Sequence, residues 1–128
     1  MNQRILADTS IWIEYFKNNP DVVDFMEKHL LEDTVCLVGI IVSELIQGIK
    51  NEREREMIRS NLDAINYIDM KFEDWIKTGD LSNTLRKSGL TLPLTDIAIA
   101  ATAIEKNLML VTRDKHFKQV PGLCMMNL

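Results

Sequence analysis

ILADTSIWIEYF, residues 5–16, joins a short apolar run to a helical pattern through one acid and two hydroxyls. The run ending at Ala7 is apolar throughout, as strands buried on both faces of a parallel sheet tend to be. After it, Ile11, Trp12, Tyr15 and Phe16 form a stripe that reads as core or as a subunit interface, with RNA stacking the lesser alternative. Any turn residue could close such a strand, so the question is why Asp8 stands there with Thr9 and Ser10 behind it.

The same alternation continues along the chain. Apolar runs at 4–7, 35–38, 66–69, 108–111 and 123–126 are the strand candidates. Between them, Asn19-Pro20-Asp21 opens a helix running to about Leu31, with Pro in its first turn. IIVSELIQGIK puts Ile41, Val42, Leu45, Ile46 and Ile49 on one face. EREREMIRSNLDAI turns amphipathic after a polar start, and FEDWIKTGDLSNTLRKSG ends on a Gly suited to a C-cap. TDIAIAATAIEKN follows Pro93 with Thr95 as its expected N-cap. With no repeat or linker, the pattern predicts one domain over 1–128, an α/β fold with a central, mostly parallel sheet between helices.

Composition limits the chemistry. A chain of 128 residues, 46% hydrophobic and 27% charged, has an ordinary globular balance. No apolar stretch approaches a membrane span, and MNQRILAD has no apolar signal core before its first acid, so a cytoplasmic protein without membrane contact is expected. Cys36 and Cys124 lie far apart in strand-like runs without a CxxC, and are expected to be small buried thiols. His29 and His116 are the only other soft ligands, which leaves no zinc set. A net charge of −4 excludes nucleic-acid binding by overall basicity but permits a local basic patch working with a metal ion.

In an open parallel sheet, ligands gather at the carboxyl ends of the strands. Four acids are delivered to that edge: Asp8 after the first strand, Glu44 in the first turns of the helix after the second, Asp96 directly after Thr95, and Asp114 just past the fourth. Two carboxylates about 4 Å apart repel by about 4 kcal/mol at an effective dielectric of about 20, and no dedicated set of cations accompanies them. Either some are protonated, or a hard divalent cation such as Mg²⁺ or Mn²⁺ sits among them. The second case is the setting for metal-assisted attack of water on a phosphodiester. Taken singly each acid has a plain alternative: a turn or N-cap for Asp8, a dipole partner for Asp96, a solvated flank for Glu44, a turn start for Asp114.

ILADTSIWIEYF, IIVSELIQGIK, LRKSGLTLPLTDIAIAATAIEKN and LMLVTRDKHF, in this order and spacing, resemble PIN-domain proteins, specifically the short VapC-type toxins of prokaryotic toxin-antitoxin pairs. The resemblance covers nearly the whole chain and implies a metal-dependent endoribonuclease on a three-layer α/β/α fold. It assigns catalysis and metal binding to Asp8, Glu44, Asp96 and Asp114, sets Thr112 beside the metal, and leaves Thr9 or Ser10 to orient Asp8. Where many relatives carry a further acid before the Phe that is here Phe117, this chain has His116, which weighs against a second metal and makes Asp114 a direct or water-mediated ligand. The resemblance also implies a homodimer silenced by a cognate VapB-type antitoxin, whose C-terminal segment reaches the acidic site.

Arg86 and Lys87, with Arg113 and Lys115 around Asp114, are the cations that could meet RNA phosphates; ordinary solvated charge is the alternative for each. Other function classes stay open. A haloacid-dehalogenase-type phosphatase needs a second acid two residues after Asp8, where Ser10 stands. A receiver-like phosphoacceptor is weakly supported by NYIDMKFED, and a catalytically silent PIN-like binding module is the third class.

Overall fold

A computed structural model describes residues 3–128. Five strands, β1 (Ile5–Ala7), β2 (Val35–Val38), β3 (Asn66–Ile68), β4 (Met109–Thr112) and β5 (Met125–Asn127), form one sheet. Six helices connect them: α1 (Thr9–Phe16), α2 (Pro20–Leu31), α3 (Gly39–Gln47), α4 (Glu52–Leu62), α5 (Phe72–Lys87) and α6 (Leu94–Glu105). The sheet order is β3-β2-β1-β4-β5, and every pair is parallel, so the expected mostly parallel sheet is wholly so. Crossovers carry the chain from β1 out to β3 by way of α1–α4, then back past β1 to β4 by way of α5 and α6, which yields three layers. This order differs from the 2-1-3-4-5 arrangement of receiver-type domains, and the phosphoacceptor alternative loses its support.

Burial explains the composition of each element. β1, β2 and the last three residues of β4 are buried without alternation because helices cover both faces. In α6 every residue from 97 to 103 is buried, and its four alanines in that run let the sheet and α5 close on it. Thr102 in that run donates its hydroxyl to Ala98 O at 2.8 Å, so no polar atom there is left unsatisfied. Ile11 and Trp12 are fully buried, and the half-buried Tyr15 and Phe16 pack on the Trp12 ring, so the α1 stripe is anchored in the core through Ile11 and Trp12.

Helix ends set up the strands. After α2 and α6 the chain passes through Asp33 (φ 58°) and Asn107 (φ 54°) in the left-handed region that short polar side chains tolerate. Each turn is closed by paired backbone bonds, Thr34 N to His29 O and Leu108 N to Ala103 O, and each leads directly into a strand. Gly89 (φ 89°) ends α5 in the same way, as its sequence position suggests.

Three expectations change. Thr95 is not an N-cap: α6 begins one residue after Pro93, Thr95 is exposed without a capping bond, and Asp96 is the third helical residue. The fixed φ of proline, −55° here, already prepares helical entry, so no hydroxyl is needed. Cys124 is exposed rather than buried, because it precedes an edge strand that pairs with one neighbour only and is itself largely exposed, while Cys36 in β2 is buried as expected. β4 and β5 start one and two residues later than the apolar runs, since the register Leu110↔Met125 rather than hydropathy sets their bounds.

Leu6 lies fully buried in the central strand. Leu6→Ala is expected to cost about 2–5 kcal/mol of unfolding free energy, read as a lower urea midpoint at an unchanged m-value.

Candidate metal-binding active site

The carboxyl edge of the sheet collects what the chain holds far apart. β1 and β4 run in register, Ala7 opposite Val111, and Asp8 N donates to Val111 O at 3.0 Å, so the two strands release Asp8 and Thr112 side by side. Asp8 is buried and also caps α1, its Oδ1 accepting from Ile11 N at 3.3 Å. Ser10 donates to the same oxygen, and Thr112 donates to Oδ2. The capping alternative for Asp8 is therefore true, and it adds to the carboxylate's orientation towards the edge instead of excluding it.

Glu44 comes from the second turn of α3 and accepts from Thr9 Oγ1 at 2.7 Å. Of the two hydroxyls expected behind Asp8, only Ser10 holds it; Thr9 holds the neighbouring carboxylate. Asp114 follows β4 and caps the short 3-10 helix Lys115–Gln119, with its own N–H donated to Thr112 Oγ1 at 2.9 Å. Its Oδ1 accepts from His116 N at 2.9 Å, and His116 Nδ1 lies 2.7 Å away and donates in the Nδ1–H tautomer. His116 thus occupies one face of Asp114.

Asp96 projects from the first turn of α6. Burial raises its pKa above the ordinary carboxyl value, and the charges of Asp114, Glu44 and Asp8 push it further, with His116 opposing. Burial likewise raises Asp8, partly offset by the hydrogen bonds from Ser10, Thr112 and the α1 backbone. Among the described residues, no Lys or Arg forms an ion pair with any of the four acids. Nor are three or more Asp, Glu, His or Cys side chains already closed around a common point. The acids repel across a shared space, and a hard cation that keeps several waters suits such an all-oxygen set better than a tight cage would.

Arg86 and Lys87 lie exposed in the last turn of α5, and Arg113 and Lys115 are exposed on either side of Asp114. Sequence reading missed the cleft beside Glu44, lined by Ser43, Gln47, Tyr67, Asp69, Trp75 and Thr95 among others. Its available signal was the run of large apolar residues Tyr67, Phe72, Trp75 and Ile76 around a helix start, all left exposed by the fold.

The sequence profile of the PIN domain matches residues 5–123. Ribonuclease VapC1 of Methanocaldococcus jannaschii is 33% identical over 91% of this chain and 81% of its own. Ribonuclease VapC2 of Rickettsia felis is 29% identical over 95% of this chain and 96% of its own. The structure of VapBC2 from Rickettsia felis bound to a DNA fragment from their promoter contains a chain that superposes with a TM-score of 0.85 at 26% identity, covering 97% of this chain and 98% of that one.

A pH prediction follows from the two raised carboxyl groups. A carboxyl whose folded pKa lies above the unfolded one contributes stability that is fully present below the unfolded value near 3.8 and is lost as pH rises through the folded value. Metal-free protein should therefore lose stability from this source on going from acid to neutral pH. Asp96→Asn should melt higher than wild type at neutral pH in EDTA, with the gap narrowing as pH falls, in thermal scans followed by circular dichroism.

Proposed function

This chain belongs to the PIN-domain family, and from that premise we propose that it is a VapC-type toxin: a divalent-metal-dependent endoribonuclease that a cognate VapB-type antitoxin neutralises. The observation that carries the reading is Asp96, a half-buried acid facing three other carboxylates with which, among the described residues, no Lys or Arg forms an ion pair. Repulsion of that kind is kept in a fold when a cation from outside relieves it.

Asp8, Glu44 and Asp96 would hold the ion, Mg²⁺ or Mn²⁺, and Asp114 would act through water or directly from the face that His116 leaves open. The ion supplies Lewis acidity at the phosphodiester and a water of lowered pKa. The chain's own part is orientation. Ser10 and Thr112 hold both oxygens of Asp8, Thr9 holds one oxygen of Glu44, and the Thr112 hydroxyl also fixes the Asp114 backbone. Hydroxyls do this without adding charge, so the negative potential that draws a cation is preserved. Arg86, Lys87, Arg113 and Lys115 would meet the RNA backbone beside the acids.

The antitoxin assignment is supported by the likeness to the Rickettsia felis structure over nearly the full length of both chains. No helix of the described residues is long and apolar enough to cross a membrane. In this reading the protein works in the cytoplasm as a homodimer.

Cleavage of a cellular RNA pool with Mg²⁺, with Mn²⁺ and with EDTA tests the proposal. Discrete fragments are expected only with metal and are lost in Asp8→Ala and Asp96→Ala; cleavage retained in a highly purified variant would refute it. Because Asp8→Ala also removes a helix cap worth about 0.5–2 kcal/mol, Asp8→Asn, which keeps an acceptor, separates folding from activity. Thr112→Val should weaken metal affinity or activity by about 10- to 100-fold without abolishing either.

A further inference from the structure

The cleft beside Glu44 has a volume of about 640 Å³ and a lining unlike that of the acidic edge it adjoins. α3 contributes Ser43, Glu44 and Gln47, β3 and the segment after it contribute Tyr67 and Asp69, and α5 contributes Trp75. Thr95, which immediately precedes Asp96, also borders it, so the cleft is continuous with the carboxylates on two sides.

Its rings face water: Tyr67 is 58% exposed and Trp75 46%. Tyr67 is nonetheless seated. A Cβ added at Gly39 would lie 2.9 Å from the Tyr67 hydroxyl, so the glycine that opens α3 is what admits the phenol against the backbone. The charged groups lining the cleft, Glu44 and Asp69, are both acids, and a phosphate placed among them would meet like charge. An unpaired nucleobase meets no such penalty. It offers a π face to the rings and an edge to a carboxylate, a hydroxyl and an amide, the combination by which single-stranded RNA is read.

We propose that this cleft is a specificity subsite for one unpaired nucleobase next to the cleaved bond, stacked on Trp75 or Tyr67 and read at its edge by Asp69, Ser43 and Gln47. Guanine is the preferred base, because its N1–H and N2 amino group together present two donors to one carboxylate. Acids and aromatics then divide the work: the edge of the sheet takes the phosphodiester, and the cleft takes the base. Cleavage beside the bound base rests on the ribonuclease reading; binding of the base does not.

Two measurements keep the two readings apart. Trp12 is fully buried and Trp75 is half-exposed, so quenching of indole fluorescence by single-stranded oligoribonucleotides reports on Trp75. With Asp96→Asn protein in Mg²⁺, saturable quenching is expected, strongest for oligonucleotides that carry an unpaired guanine. In cleavage assays on oligonucleotides differing at a single base, Trp75→Ala should lower kcat/KM by about 5- to 150-fold, mainly through KM, the range that loss of one stacked base implies. Trp75→Phe should restore most of it, and Asp69→Asn should erase the preference for guanine. Unchanged kinetics in both Trp75→Ala and Tyr67→Ala, with no quenching, would overturn the proposal. So would loss of affinity for the purified cognate antitoxin with cleavage unaltered, which would make the cleft an antitoxin seat. Quenching by RNA in a protein whose wild type cleaves none would uphold the base subsite and refute the nuclease reading instead.

Discussion

The in-register pairing of β1 with β4 at the centre of the sheet is the constraint on which the site depends. Ala7 opposite Val111 means that Asp8 and Thr112, 104 residues apart in the chain, leave the sheet as neighbours. A slip of one residue would turn every side chain of β1 to the other face and separate the pair. The slip is prevented by burial on both sides, since all three residues of β1 are fully enclosed. Register, core packing and the position of the first carboxylate are thus one requirement.

The second theme is how a fold holds like charges together. Solvent is partly excluded from Asp8 and Asp96, which raises both pKa values, and neighbouring acids add to the effect at Asp96. The chain answers with hydroxyl and backbone donors on Asp8, a hydroxyl on Glu44, and His116 on Asp114, but among the described residues with no lysine or arginine within ion-pairing distance. Such donors orient carboxylates yet leave the potential negative, so stability is conceded at this edge of the sheet. His116 is the exception. It engages one oxygen of Asp114 through both its backbone N–H and its ring Nδ1, at the position where this chain departs from the acid-rich pattern it otherwise resembles.

The exposed aromatics fall into the same scheme. Tyr67 lies on an edge strand and Trp75 near the start of α5, and neither is needed by the core that encloses Trp12. They are placed by the route the chain takes out of β3, which brings the start of α5 to the flank of α3 and so to Glu44.

Local physics made much of this legible. Apolar runs, a proline at a helix start and a glycine after a helix end are properties of a few adjacent residues, and they located all five strands and the helices between them to within about three residues. The same locality marked Asp8, Glu44, Asp96 and Asp114, since each is an acid at a strand end or in the early turns of a helix. Partnership was not legible. That Thr9 holds Glu44 while Ser10 and Thr112 hold Asp8, that Thr95 caps nothing, that Cys124 is exposed and that Trp75 borders the site all depend on strand order and register between distant segments. The sequence by itself determined the elements and the acids they carry, because propensity, capping and periodicity act over a few residues. Only the tertiary structure decided which groups meet, because contacts between distant segments are settled by packing the whole core.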